Sequence, residues 1–174
     1  MMDNQILACL KTRRSVRSYR SDPVPQALLD QIVEAGLYAP TGMGRQSTII
    51  IEADGALRDR LMKMNAAVMG REGSDPFYGA PVVLIVLADR SCPTYLYDGS
   101  LAMGNMMNAA HALGLGSCWI HRAKEEFDSE EGKEILRSLG IEGDYEGIGH
   151  CIVGYAEGEE PAAAPRKENR FFKA

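Results

Sequence analysis

Residues 81–88, Pro-Val-Val-Leu-Ile-Val-Leu-Ala, carry no polar side chain. A strand with one wet face alternates apolar and polar residues, and a strand without alternation is covered on both faces. The segment therefore predicts a central strand in a sheet that needs a layer on each side. The apolar run extends only from Ala80 to Ala88, well short of the roughly 20 residues that cross a bilayer as a helix. The 174 residues suit one domain, taken as 1–174, with a core that needs no covalent staples.

The remaining elements follow from periodicity and punctuation. A first helix is expected from Asn4 to about Arg13, with Ile6, Leu7 and Leu10 on one face and Asp3 as N-cap. A second spans about Gln26 to Tyr38, striped by Leu28, Leu29, Ile32, Val33 and Leu37. Pro40-Thr41-Gly42-Met43-Gly44 is a loop, since its proline and glycines break both helix and strand. Ser47–Glu52 reads as a strand because it is rich in β-branched residues. Helices are expected over Asp54–Met69, Asp98–Leu113 and Asp128–Leu139, the last with Asp128 and Glu131 at capping-box spacing. Ser117–Ile120 and His150–Tyr155 complete four strands, which with five helices on one sheet predict an α+β fold.

Charge and cysteine usage narrow the function. With 19 Lys plus Arg against 24 Asp plus Glu, the net charge is −5. General nucleic-acid binding is disfavoured, because it draws its affinity from many cationic phosphate contacts. The opening residues MMDNQILACLKTRRS lack a charged region ahead of a long apolar stretch, so no secretory signal and no membrane partner are expected, and the location is expected to be cytoplasmic. Cys9, Cys92, Cys118 and Cys151 are scattered without a C-x-x-C pair and are expected to be reduced. His111, His121 and His150 have no metal-ligand spacing. There is no phosphate-loop lysine motif and no G-x-S-x-G elbow.

Four short segments carry the chemistry. Arg13-Arg14-Ser15-Val16-Arg17 gathers three guanidinium groups and a hydroxyl, a combination suited to phosphate. A solvated basic turn is the alternative. Pro40-Thr41-Gly42 with Gln46 offers close backbone approach and an amide that both donates and accepts, though a plain turn would look the same. Gly114-Leu115-Gly116-Ser117-Cys118-Trp119-Ile120-His121-Arg122 runs from helix to strand, the wrong order for a dinucleotide-binding loop. Arg166-Lys167 adds two cations near the C-terminus, or else a solvated tail.

In their order and spacing these segments resemble the nitroreductase family of FMN-dependent oxidoreductases over nearly the whole chain. The resemblance implies a nitroreductase-like fold, with a central, mostly antiparallel sheet flanked by helices, in an intertwined homodimer. It implies non-covalent FMN and NADH or NADPH as electron donor. Arg13, Arg14, Ser15 and Arg17 match the residues around the FMN phosphate and ribityl chain. Pro40, Thr41, Gly42 and Gln46 match a loop that the family's second subunit lays along the flavin. Asn65 matches an asparagine near the flavin pyrimidine, Ile120 and His121 a backbone facing the isoalloxazine, and Arg166 and Lys167 late basic residues that reach the phosphate.

The activity implied is ping-pong reduction of a small oxidised acceptor, a nitroaromatic or quinone. The flavin carries the chemistry, and no catalytic side chain is required. The alternative is a flavin-binding redox sensor or flavin-handling module without turnover. It is favoured by the short chain and by His121-Arg122, where some family members carry Glu-Gly.

Overall fold

In the computed structural model, residues 4–159 and 161–174 are described. Among the described residues the α-helices and strands are α1 (Gln5–Thr12), α2 (Gln26–Leu37), β1 (Thr48–Ala53), α3 (Gly55–Val68), β2 (Val82–Asp89), α4 (Tyr95–Ala112), β3 (Gly116–Ile120), α5 (Ala123–Asp128), α6 (Glu130–Ser138) and β4 (Tyr145–Gly154), with one 3-10 turn at Gly42–Gly44 in the expected loop. The four strands form one antiparallel sheet in the order β1-β2-β4-β3.

The apolar run at 82–88 is buried throughout, and its alternation splits the core in two. Val83, Ile85 and Leu87 pack with Leu61 and Met64 of α3, Phe127 of α5, and Ile135 and Leu136 of α6. Val82, Leu84 and Val86 pack with Leu29 and Ile32 of α2, and with Ala102, Met103 and Met106 of α4. This is the pleat read from both sides: successive side chains leave opposite faces, so one strand feeds two cores. Full burial of each such aliphatic side chain is worth roughly 1.5–3 kcal/mol. Helices cover both faces of the sheet, as that run demands.

Several elements differ from expectation at their ends. Asp3 lies outside the described residues, and Asn4 caps α1, its Oδ1 accepting from the N–H groups of Ile6 (3.0 Å) and Leu7 (3.2 Å). The long helix begins at Tyr95, a turn before Asp98, because Asp98 is an interior residue engaged elsewhere and not a cap. Ser129, rather than Asp128, caps α6 by accepting from Gly132 N–H. Asp128 is drawn away by Arg90 and Lys124. Residues 123–128 form α5, a sixth α-helix among the described residues, where a loop was expected; six residues are too few to display a period.

The last strand begins at Tyr145, five residues earlier than expected. Gly147 and Gly149 disguise it, and both are required by packing. A side chain at 147 would strike the Ala123 carbonyl, and one at 149 the Trp119 indole.

No helix among the described residues is long and apolar enough to cross a membrane. All four cysteines are free thiols. Burial pushes the Cys151 thiol up to about 12, so it stays protonated and inert.

Candidate functional site

The basic run after α1 is strapped to the open edge of the sheet. Val16 N–H donates to the Ser117 carbonyl (3.0 Å), and Ser15 forms a parallel bridge with Ser117 of β3. Val16 is buried against Gly116, where a β-carbon would come within 2.9 Å of its methyl group. Tyr19 locks the far end. Its buried hydroxyl donates to the Val16 carbonyl (2.9 Å), and burial holds its phenol well above the ordinary range. A partly buried, cation-rich segment is thus fixed by two buried side chains that carry no charge.

This strapping aligns polar atoms that have nothing to bond. Arg13 Nη1 and Ser117 Oγ are both buried without a hydrogen-bond partner among the described residues, as is Trp119 Nε1. A buried donor left unsatisfied costs about 1–3 kcal/mol, so such a pair at one strand edge is unexpected unless a ligand completes it. Arg14 turns back and donates to the carbonyls of Lys11 (2.9 Å) and Arg13 (2.6 Å).

Arg17 leads into a cleft of about 310 Å³, shared with Trp119, Ile120, His121, Arg122 and Arg71. Ser15, Arg17, Ile120 and His121 are therefore brought to one strand edge. Arg71 was not anticipated as a site residue, and Arg122 was singled out within its segment but not named as a binding residue. Arg71 sits in a loop with no pattern to mark it. Arg122 does carry a signal, since it occupies a position where some family members have glycine.

Arg122 has left-handed backbone angles, φ 82 and ψ 3. A non-glycine residue held there carries about 1–3 kcal/mol of strain and persists only where its surroundings enforce it. The enforcement comes from Asn65, which is fully buried on α3. Arg122 Nε donates to Asn65 Oδ1 (2.9 Å), and Asn65 Nδ2 donates to the His121 carbonyl (2.8 Å) and to Glu126 Oε1. Glu126 Oε2 in turn lies 3.1 Å from His150 Nε2, both residues being buried. Among the described residues, Asn65 meets the cleft only through the turn it holds.

The second predicted segment is organised just as firmly, but elsewhere. Asp98 is 2% exposed, and its carboxylate accepts from Gly42 N–H (3.0 Å), Ser47 Oγ (2.7 Å) and Thr94 Oγ1 (3.1 Å). Burial raises the Asp98 pKa, but those three donors outweigh it and hold the carboxyl below its ordinary value. Gly42 must be glycine, because a β-carbon there would collide with Thr94 Oγ1. Thr41 Oγ1 accepts from Gln46 N–H (3.0 Å), closing the loop on itself.

Pro40 and Gln46 remain exposed, and none of Pro40, Thr41, Gly42 or Gln46 lines the cleft beside Arg17. Arg166 and Lys167 are likewise outside it, in the exposed segment 161–174, where Arg166 donates to the Ala164 carbonyl. Within one chain the two basic runs do not meet.

A three-layer antiparallel sheet, a basic strap on its edge strand and a pinned glycine loop after α2 together define a class. Residues 10–155 match the Nitroreductase family. The chain belongs to that family.

Among curated relatives, a Methanothermobacter thermautotrophicus protein is 33% identical over 66% of this chain and 59% of its own length. A Bacillus subtilis protein named as an FMN reductase acting with NAD(P)H is 31% identical over 66% of this chain and 53% of its own. The chain thus spans little more than half the length of these two relatives. Among solved structures, an FMN-bound nitroreductase from Bacteroides fragilis superposes with a TM-score of 0.89 at 27% identity, over 99% of this chain and 100% of that one. An FMN-bound nitroreductase from Desulfitobacterium hafniense gives 0.84 at 25%, with the same coverage.

Proposed function

We propose that the protein is an FMN-dependent NAD(P)H oxidoreductase that reduces a small oxidised acceptor, a nitroaromatic or a quinone, by a ping-pong exchange. The observation that carries this reading is the pair of buried polar atoms without partners among the described residues, Arg13 Nη1 and Ser117 Oγ, on a strap and an edge strand whose Arg17 and Cys118 to Ile120 line a cleft. FMN offers a dianionic phosphate and a polyol for these donors, and an isoalloxazine for the cleft lined by Trp119 and Ile120 to Arg122. When bound, FMN supplies the acceptor of hydride and the donor of electrons.

The chain's own residues do the rest. Arg13, Arg14, Ser15 and Arg17 concentrate positive charge on a protein of net charge −5, which otherwise repels a phosphate. The backbone at Ile120 and His121, held by the Arg122–Asn65 clamp, presents fixed dipoles to the ring system. Trp119 walls the cleft and limits water. The donor nicotinamide and the acceptor use the same cleft in turn, which is the structural meaning of ping-pong.

The unit that acts is a homodimer. Ile6, Leu7 and Leu10 of α1 are 72, 55 and 51% exposed, and Tyr97 of α4 is 73% exposed, so two apolar faces stand uncovered on one chain. Packing them against a second copy buries those faces. It also brings a second Pro40–Gln46 loop and a second basic tail, with Arg166 and Lys167, to the cleft.

The experiment is an absorbance spectrum of purified protein, followed by anaerobic titration with NADH and with NADPH. A flavin spectrum that bleaches with either donor and returns with a quinone over many turnovers is expected. A colourless protein that does not take up added FMN refutes the reading. Bound FMN that neither donor reduces favours a flavin-binding sensor.

A further inference from the structure

The geometry points to a buried positioning pair, Asn65 and Glu126, with His150 packed behind it, that fixes the left-handed Arg122 turn and through it sets the redox balance of the bound flavin. This rests on the flavin reading above and adds two residues that act without touching the cofactor. Each link is on the structure. His150 of β4 pairs in register with Ile120 of β3, the last residue before the turn. Its Nε2 lies 3.1 Å from Glu126 Oε2, off the hydrogen-bond axis. Glu126 Oε1 accepts from Asn65, and Asn65 grips the turn twice, through the His121 carbonyl and the Arg122 guanidinium.

The pair is oriented. A carboxylate accepting from the Asn65 amide polarises it, which strengthens the amide oxygen as an acceptor for the Arg122 guanidinium. Glu126 and His150 are almost completely buried and do not line the cleft. A plain core could fill their places with apolar side chains. A buried carboxylate is costly unless its oxygens are used, and here one of them is spent on Asn65. The backbone of the turn is what reaches the cleft, and a non-glycine residue at φ 82 keeps that backbone in place only while the grip holds.

The test is the ratio of affinities for reduced and oxidised FMN, read as the midpoint potential of the bound flavin, together with the dissociation constant of oxidised FMN. Asn65→Ala and Glu126→Ala are each expected to lower the ratio about tenfold, which is about 30 mV for a two-electron couple. The double variant is expected to match either single one, because the two residues serve one link. Glu126→Gln, which keeps an acceptor for Asn65, is expected to stay within threefold of the wild type. Should Glu126→Ala fail to fold, Arg122→Gly removes the same grip from the surface side and is expected to lower the ratio at least threefold.

An unchanged ratio in Asn65→Ala and in Glu126→Ala or Arg122→Gly overturns the inference alone. So does an effect of Asn65→Ala that is purely additive with that of Glu126→Ala, which would mean that Asn65 meets the flavin itself. A wild-type protein that fails to bind FMN overturns the flavin reading and this inference with it.

Discussion

The Arg13–Arg17 strap and the Thr41–Gln46 loop are built alike and oriented differently. Each is an irregular polar segment pinned by a buried anchor: Val16 and Tyr19 for the strap, Asp98 for the loop. The strap's anchors are apolar or neutral, and Arg13 Nη1 and Ser117 Oγ beside them stay buried without a partner among the described residues. The loop's anchor is a carboxylate that consumes the loop's own donors, and the loop faces outward with Pro40 and Gln46 exposed. One segment keeps polar atoms without partners among the described residues, and the other has spent its own. Rigid irregular structure therefore need not mark where a ligand sits. The decisive feature is whether the polar groups are already spent.

Removing Asp98 is the strongest way to break that contrast. Asp98→Ala strands Ser47 and the Gly42 N–H without their acceptor, and is expected to cost about 3 kcal/mol, or about 6–12 °C in thermal unfolding for a domain of this size. The wild-type contribution should depend on pH. A carboxyl held below its ordinary value stabilises the fold fully above that value, and the stability is lost as pH falls through the lower, folded-state value. Urea unfolding between pH 5 and about 2.5 is expected to lose stability more steeply in the wild type than in Asp98→Asn. Equal slopes would show that the carboxylate is not the anchor.

Arg13→Ala comes next. Losing a charge-assisted bond to phosphate costs about 1.5–3 kcal/mol, so FMN affinity measured by fluorescence titration is expected to fall roughly 10- to 150-fold, with little change in the unfolding temperature of the apoprotein. Arg90→Ala gives the opposite pattern. Arg90 meets Asp128, Asp144 and Glu146 at 2.5, 3.0 and 3.1 Å, and its loss is expected to lower the unfolding temperature and leave FMN affinity unchanged. An Arg13 variant that behaves like the Arg90 variant would make the strap a structural feature only.

The smallest effect belongs to the tail. Arg166→Ala with Lys167→Ala, on an exposed segment, is expected to leave unfolding unchanged and to weaken FMN binding about three- to tenfold in the dimer. Breaking the proposed dimer sharpens the comparison further. Leu10→Asp, with sedimentation as readout, is expected to yield monomers in which the tail substitutions have no further effect on FMN.

Much of this was legible in the residues, for identifiable reasons. The uninterrupted run at 82–88 announced the central strand and its two covering layers, because no surface strand can be apolar on both faces. The Arg13–Arg17 run and the Ile120-His121 end of a strand were visible as separate segments. Nothing in either indicated that Val16 would bond Ser117 and put them on one edge, since that contact joins positions about a hundred residues apart. Asp98 stood at the expected start of a helix read from its apolar periodicity, and only the packing shows its carboxylate facing Gly42, Ser47 and Thr94. His150 passed as an ordinary strand residue, and Glu126 as part of a charged loop. Their burial against each other has no sequence period to betray it.

The sequence by itself determined the sheet's central strand, the helical layers and where the cations lie along the chain. Hydrophobic periodicity and local charge are properties of neighbouring residues, and they survive without a fold. Which polar groups are spent and which are left waiting was decided by tertiary structure alone. A hydrogen bond needs its two atoms within about 3 Å, and for Asn65, Glu126 and Arg122 only the folded chain brings residues from α3, α5 and the turn after β3 that close.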